Sequence, residues 1–282
     1  MPIAEINGAR INYKVQGKGP ALVQVPGAAT GIQGYMRMTP FLVDHFTVLD
    51  FDPRGYGEST RTDTQYGFDV WAGDMAALID HVGFDSFIFH GASMGSTLAL
   101  DFTAKHPDRV KAMVLSGCTA KNDVTSRAQF RAWKALAQAY GVGSTQLTGL
   151  MATHSLTRRL LDTPEMRETF IETLAKQLTQ TVSLEAYVAA CDYLIEVDVT
   201  DRLPSIKVPT LVMVGDEDVL TPAIQGETGC GGKQIFDRLT SCDVKEYLVL
   251  EGSAHSNMRD VPDVCAAAIV AFAERVLATD SR

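Results

Sequence analysis

The segment that decides the fold runs Phe87-Ile88-Phe89-His90-Gly91-Ala92-Ser93-Met94-Gly95. It begins with a short, largely apolar run, which predicts a buried strand, and a helical pattern follows directly after it. A Gly-x-Ser-x-Gly motif between a strand and a helix is typical of a nucleophile elbow, a strained turn that exposes the serine hydroxyl. Such a turn leaves room only for small residues on either side, which Gly91 and Gly95 satisfy. We therefore predict that Ser93 is a nucleophile, because a chance motif in a loop lacks these flanking elements.

Strands and helices alternate along the chain on both sides of this segment. Asn7-Gly8 predicts a tight type I′ turn between strands at 3–6 and 10–15. Further strands are predicted at short runs of apolar and β-branched residues, at 21–25, 47–52, 87–91, 112–117, 210–215 and 247–252. Helices such as 69–81 and 97–105 lie between them. This order predicts an α/β fold with a mostly parallel, eight-stranded sheet.

One long interval interrupts the alternation. Between positions 117 and 210 the sequence contains no convincing strand and is rich in helix formers, notably at 128–140, 165–181 and 184–195. We predict that residues 118–206 form a helical cap, inserted into an α/β core made of residues 1–117 and 207–282.

A serine hydroxyl becomes nucleophilic only when a base takes its proton and a third group orients that base. Among six histidines, His255 stands in a suitable place, in a loop of small residues after the final predicted strand. The loop after 210–215 offers three carboxylates, Asp216, Glu217 and Asp218. We favour Asp218, which is far enough from the strand to reach across the loop, with Asp216 as the principal rival.

The negative charge that forms on the substrate oxygen needs hydrogen-bond donors already in position. The backbone N–H of Met94 is one candidate, because it follows the nucleophile at the start of a helix. The second should come from the loop after 21–25, where Ala28 N–H is the best candidate because Gly27 allows a close backbone approach.

Composition and charge narrow the class of protein. The 282 residues are 46% hydrophobic and 21% charged, as in a globular protein, and the net charge is −9. An acidic chain without a Lys/Arg cluster predicts no nucleic-acid partner. No signal peptide or membrane-spanning stretch is visible, so no membrane partner is expected, and five scattered cysteines without a Cys-x-x-Cys pair favour the cytoplasm. No metal-ligand spacing and no Gly-x-Gly-x-x-Gly motif is found, so we predict no metal and no cofactor.

These motifs together resemble the α/β-hydrolase superfamily over nearly the whole chain. The stretch 52–59, Asp-Pro-Arg-Gly-Tyr-Gly-Glu-Ser, looks like the family's turn after its fourth strand. Gly215-x-x-Asp218 looks like its acid loop, and Gly252-x-x-His255 looks like its histidine loop. The resemblance implies the catalytic set Ser93, Asp218 and His255. It also strengthens Asp218 over Asp216.

Three departures from the family pattern stand out. The oxyanion loop, usually His-Gly, reads Pro26-Gly27, and Ser96 stands where a further glycine is frequent. The separation between Asp218 and His255 is longer than expected, and the glycine-rich stretch 226–233 looks like an inserted loop. That stretch does not match a phosphate-binding loop, because its spacing of glycines and its residue after Lys233 are wrong.

The predicted function is hydrolysis of a small, fairly apolar carboxylic ester or lactone through an acyl-enzyme. The substrate pocket should lie between the elbow and the cap. Its predicted substrate-binding residues are Met36, Trp133, Tyr140 and Tyr187, with Phe68 and the Met94 side chain as further lining. Each of these side chains could instead be ordinary core packing. His90 is predicted to be a buried core residue, whereas His154 could be a surface residue or a substrate contact.

Two alternatives stay open at this stage. Relatives resembling C–C bond hydrolases of aromatic-ring catabolism usually use an arginine for the substrate carboxylate, and the cap offers Arg127, Arg131, Arg158 and Arg159. Other superfamily members resemble ligand sensors that keep the triad and turn over little. Fold analogy does not choose among these readings. The sequence also leaves open whether the chain forms a homodimer.

Overall fold

The fold is built on a central sheet of eight strands, seen in a computed structural model that describes residues 1–62, 64–167 and 169–280. The sheet order is β1-β2-β4-β3-β5-β6-β8-β10, and β7 pairs with β9 in a separate two-stranded sheet. The strands are β1 (Ile3–Ile6), β2 (Ala9–Gly17), β3 (Ala21–Val25), β4 (Thr47–Phe51), β5 (Phe87–Ala92), β6 (Val110–Ser116), β7 (Thr119–Lys121), β8 (Thr210–Gly215), β9 (Cys230–Gly231) and β10 (Lys245–Leu250).

Strand direction agrees with the predicted, mostly parallel sheet. β2 runs antiparallel to both of its neighbours, β1 and β4, and all other pairs in the large sheet are parallel. The β1–β2 turn has φ values of 48° at Asn7 and 75° at Gly8, as the type I′ prediction requires. Because parallel strands end at the same edge, the loops after β3, β5, β8 and β10 meet there.

Helices cover both faces of the sheet. They are α1 (Phe68–His81), α2 (Met94–Lys105), α3 (Val124–Tyr140), α4 (Thr145–Ser155), α5 (Arg158–Leu161), α6 (Pro164–Arg167), α7 (Phe170–Thr181), α8 (Leu184–Glu196), α9 (Gly232–Arg238), α10 (Asn257–Asp260) and α11 (Pro262–Asp280). Alternate strand residues pack into two separate cores, so that Phe87 and Phe89 join α1 and α2 whereas Ile88 joins α11. This two-sided burial explains why β5 is apolar throughout rather than alternating.

Helices α3–α8, which we call the cap helices, lie between β7 and β8 in sequence. Polar side chains begin several of them; Asp123 accepts a hydrogen bond from Ser126 N at 2.9 Å, and Ser183 accepts one from Ala186 N at 3.0 Å. Three backbone hydrogen bonds among the described residues fasten these helices and the turn between α7 and α8 to the core. Gly57 N donates to Thr181 O at 2.7 Å, Ser183 N donates to Gly55 O at 3.0 Å, and Ser256 N donates to Ser155 O at 2.9 Å.

The prediction that positions 118–209 contain no strand is wrong at β7. This strand pairs with β9, which lies inside the stretch 226–233 that the sequence suggested to be an inserted loop, and α9 begins at Gly232 within the same stretch. Strands of three and two residues are too short to produce a recognisable period. The sequence pattern therefore does not predict this small sheet, which forms through tertiary pairing of the two strands.

None of the described helices is both long and apolar enough to cross a bilayer. The five cysteines are free thiols, and all are buried. The bounds proposed for core and cap stay a prediction.

Candidate active site

Ser93 occupies a strained turn between β5 and α2. Its φ of 52° and ψ of −120° lie outside the regions that residues with a side chain prefer. A Cβ at position 91 would lie 2.4 Å from Gly95 O, and a Cβ at position 95 would lie 2.1 Å from Val25 O. Both glycines are therefore required by space, as the nucleophile-elbow prediction states. Ser93 N donates to Ser116 O at 3.0 Å, which fixes the turn against β6.

His255 and Asp218 form a buried pair beside this turn. The imidazole Nδ1 lies 3.1 Å from Asp218 Oδ2, and both side chains are buried. Asp218 Oδ1 also accepts hydrogen bonds from the backbone N–H groups of Leu220 and Thr221, each at 2.9 Å. Burial alone would raise the pKa of the Asp218 carboxyl. The electrostatic attraction and hydrogen bond of His255, together with the hydrogen bonds from Thr221, outweigh burial, so the pKa of Asp218 lies below its usual value.

Thr221 is a part of this site that the sequence analysis missed. Its Oγ1 lies 2.9 Å from His255 Nδ1, 3.0 Å from Asp218 Oδ2 and 3.0 Å from Gly117 O. The hydroxyl therefore braces the loop that carries the acid against the end of β6. The sequence signal for this role was a threonine three residues after an aspartate, because an Asp side chain often accepts a hydrogen bond from a backbone N–H a few residues later in the chain.

The rival acid has a different position. Asp216 is exposed, and its Oδ1 accepts a hydrogen bond from Ser253 N at 3.2 Å. Its carboxylate therefore supports the loop before His255 and is not paired with the imidazole. The geometry favours Asp218, as the sequence analysis did.

The proposed oxyanion donors lie on two segments that meet at Ser93. A Cβ at position 27 would lie 2.9 Å from Ser93 Cβ, so only glycine permits this approach. Ala28 follows it in the wall of the cavity, and Met94 begins α2 directly after Ser93. The loop is held by Tyr35, whose hydroxyl donates to Val25 O at 2.7 Å.

The turn at 52–59 is held together by the carboxylate of Asp52. This group accepts hydrogen bonds from Asn12 Nδ2 at 2.7 Å, Ile32 N at 2.9 Å and Glu58 N at 3.1 Å. A Cβ at position 57 would lie 2.1 Å from the same carboxylate, which explains the glycine there. Because Ile32 follows the proposed oxyanion loop, Asp52 ties that loop to β4.

A cavity of about 490 Å³ opens over these groups. Ser93 and His255 form part of its floor. The cap helices supply a largely apolar wall, which includes Phe130, Trp133, Met151, Leu156, Leu174 and Leu178. A cavity of this size accommodates a small molecule beside Ser93.

Only two of the four predicted substrate-binding side chains line this cavity. Met36 and Trp133 do. Tyr140 is 63% exposed, because it is the last residue of α3 and its ring extends beyond the packed helices. Tyr187 is buried behind the wall, where its hydroxyl lies 3.5 Å from Met151 Sδ.

The remaining lining predictions are also corrected. Phe68 stacks on Tyr193 with ring centroids 4.7 Å apart, and the Met94 side chain is buried in the core. Among the residues described, none of the four cap arginines Arg127, Arg131, Arg158 and Arg159 lines the cavity. Arg37 and Arg259 line it instead, and the sequence analysis did not single out either.

Two further histidines, His90 and His154, pack against other side chains of the protein. His90 is buried with its Nε2 2.8 Å from Ser116 Oγ, and burial lowers its pKa to about 3. It is therefore a neutral core residue, as predicted. His154 stacks on Trp133, with ring centroids 5.9 Å apart, and is not among the residues that line the cavity in the described part of the chain. In the described part of the chain, no group of three His, Cys, Asp or Glu residues is placed to hold a metal ion.

Comparison with known proteins assigns the chain to a family of this fold. A family model described as the alpha/beta hydrolase fold matches residues 20–258. The chain is 29% identical over 224 residues to 3-oxoadipate enol-lactonase 2 of Acinetobacter baylyi, covering 78% of this chain and 80% of that one. It is 25% identical to a proline iminopeptidase of Lactobacillus helveticus, with 91% of each chain covered.

Solved structures show the same fold. An enol-lactonase from Burkholderia xenovorans LB400 superposes with a TM-score of 0.83 at 23% identity, covering 96% of this chain and 99% of that one. A thermophilic esterase from Thermogutta terrifontis superposes with a TM-score of 0.82 at 23% identity, covering 98% and 99%. The chain therefore belongs to the alpha/beta hydrolase fold family, and it is a hydrolase.

Proposed function

We propose that this hydrolase cleaves a small carboxylic ester or lactone through an acyl-enzyme formed on Ser93. The observation that carries the proposal is the meeting of three features at one cavity: the strained serine turn, the His255–Asp218 pair, and a wall of apolar side chains. The 29% identity to an enol-lactonase supports the ester or lactone class.

The first half of the reaction forms the acyl-enzyme. His255 Nε2 takes the proton of Ser93 Oγ as the oxygen attacks the substrate carbonyl carbon, and Asp218 holds the imidazole through Nδ1. The carbonyl oxygen becomes an anion and accepts hydrogen bonds from Met94 N–H and Ala28 N–H. Collapse of this tetrahedral intermediate breaks the C–O bond, and the leaving oxygen takes the proton from His255.

The second half releases the acid. His255 takes a proton from water, whose oxygen attacks the acyl carbon, and a second tetrahedral intermediate forms over the same donors. Its collapse breaks the bond to Ser93 Oγ, which recovers a proton from His255. With a lactone, the alcohol released in the first half remains part of the acyl group. A single hydroxy acid then leaves.

Labelling with a fluorophosphonate tests the activated serine directly. Intact mass should show one stoichiometric adduct on the wild type, none on Ser93→Ala, and a much slower adduct on His255→Ala. Ser256→Ala is the matched control, because it removes a second hydroxyl from the same cavity and should still be labelled. Absence of an adduct on the wild type would reject the nucleophile.

Turnover separates the proposal from the two alternatives. Many turnovers on p-nitrophenyl esters or lactones, lost in Ser93→Ala, are the expected result. Turnover confined to vinylogous 1,5-diketones would replace it with C–C hydrolysis. Tight ligand binding with a single turnover would replace it with a sensing role.

A further inference from the structure

Two arginines line the catalytic cavity without a partner acid. Arg37 lies in the segment after the proposed oxyanion loop and is exposed at the cavity, and Arg259 lies in α10, directly after the loop of His255. In the part of the chain that the structure describes, neither guanidinium makes a hydrogen bond or an ion pair.

Two carboxylates, Asp260 beside Arg259 and Asp52 in the cavity lining, are already engaged by other donors. Burial lowers the pKa of Arg259, and the charge of Arg37 lowers it further. Asp260 opposes this shift, but its carboxylate already accepts hydrogen bonds from Ala254 N at 2.8 Å and from Thr157. Asp52, the other charged residue of the lining, is likewise engaged by three donors.

A partly buried guanidinium such as that of Arg259, with a second positive charge on the same cavity wall, is stabilised when an anion binds to it. Guanidinium groups bind carboxylates and phosphates through paired, charge-assisted hydrogen bonds. The cap side of the same cavity is apolar, which suits a hydrocarbon segment rather than a second charge. The cavity thus combines the proposed reacting groups, an apolar wall and two cationic side chains.

We propose that the substrate carries an oxyanionic group, of the carboxylate type, which Arg37 and Arg259 bind while its ester or lactone carbonyl lies at Ser93. This inference rests on the proposed function and narrows it to acidic esters or lactones. The two arginines belong to the same chain segments as Ala28 and His255, so the distance from anion to scissile carbonyl is set by the catalytic loops. The substrate is therefore selected by where its charge lies relative to its carbonyl.

Matched substrate pairs test this selection. The mono-p-nitrophenyl esters of succinic, glutaric and adipic acids carry a free carboxylate, and their methyl-capped forms carry none. For the chain length that fits best, the wild type should have a higher kcat/KM for the acid than for its capped form, and the ratio of these two kcat/KM values measures the selection. Arg259→Met and Arg37→Met should each lower this ratio roughly 10- to 100-fold, the size expected from loss of one charge-assisted contact.

Controls keep a folding defect apart from loss of the anion site. Arg131→Met removes an exposed arginine of α3 that does not line the cavity, and it should leave the ratio as in wild type. Arg259→Lys should recover part of the ratio, because it restores the charge without the planar fork. A pair of substrates with a terminal phosphonate distinguishes the anion: preference for it over the carboxylate would overturn the carboxylate assignment.

The outcomes separate the two proposals. If the wild type is labelled by the fluorophosphonate and turns over capped esters as well as the free acids, the anion site is overturned. The proposed serine-hydrolase function would still stand. Absence of labelling would overturn the proposed function. The anion site would then still be supported if Ser93→Ala binds glutarate and the added Arg259→Met substitution weakens that binding. Equal binding of glutarate and its dimethyl ester by Ser93→Ala would overturn the anion site.

Discussion

The sheet core and the cap helices contribute to the cavity in different ways. Core residues at the ends of β5, β8 and β10 are fixed by several hydrogen bonds each; the carboxylate of Asp218 alone accepts from Leu220 N, Thr221 N and the Thr221 hydroxyl. The cap contributes mainly apolar side chains, such as Phe130, Leu174 and Leu178, which line the cavity without directional bonds. The core therefore holds atoms in position, whereas the cap shapes a volume.

This difference predicts two kinds of mutational response. A change in the core should alter the rate of the chemical step or the free energy of unfolding by large amounts, because a specific bond is lost. A change in the cap should alter which substrate is preferred, because cavity walls discriminate by only modest factors.

Asp218→Asn should lower kcat about 10⁴-fold, because the amide no longer stabilises the charged imidazole or fixes its tautomer. Steady-state kinetics on the best ester measure the effect, and Asp216→Asn is the matched control. Asp216 supports only the Ser253 N–H, so its variant should lose no more than about 10-fold. Equal losses in the two variants would contradict the separation of roles between these carboxylates.

Asp50 provides a test of the core that does not involve catalysis. Burial raises its pKa to about 7, despite hydrogen bonds from Gln16 and Thr39, and its Oδ1 has no partner among the described residues. Between about pH 4 and 7 the unfolded chain releases this proton while the folded protein keeps it, so the free energy of unfolding falls as pH rises through that window, by at most about 4 kcal/mol.

Urea unfolding at several pH values from about 5 to 8 measures this slope. Asp50→Asn cannot ionise and should lose most of it, whereas Asp44→Asn, at an exposed position, should retain it. A wild-type slope that survives in Asp50→Asn would assign the pH dependence to another group.

Leu178→Ala tests the cap wall. The substitution enlarges the cavity, so preference should shift toward bulkier acyl groups by roughly 10-fold. The free energy of unfolding should fall by about 2 to 3 kcal/mol. Leu147→Ala removes an equally buried cap side chain that does not line the cavity, so it should lose stability without changing the preference. A similar shift in both variants would indicate loosening of the cap rather than a larger cavity.

Tyr140→Ala should have the smallest effect. The ring is exposed at the end of α3, so stability should change by no more than about 0.5 kcal/mol, and the ratio of kcat/KM between short and long esters should not change. Thermal unfolding and a series of p-nitrophenyl esters measure both quantities. A changed ratio would return Tyr140 to the substrate site, where the sequence analysis had predicted it.

The same contrast explains how much could be predicted from sequence. Ser93, Asp218 and His255 belong to local motifs whose backbone geometry demands particular residues, and the structure brings the acid and the base into contact. The cavity lining depends on tertiary packing. Trp133 and Tyr140 share one helix face by their spacing, yet only Trp133 lies under neighbouring helices. Arg37 and Arg259 are far apart in sequence, and no local pattern marks two separate segments that line one cavity.

The backbone hydrogen bonds between the cap and the core set a condition for engineering new specificities. Two of the three described bonds lie at the turn 52–59 that Asp52 organises, and the third joins Ser256 N to Ser155 O beside His255. A cap transplanted from a relative would have to present matching carbonyl and N–H groups at both places to fit this core. Recombination within the family should therefore conserve these two places as cut points, and exchange the helices between them.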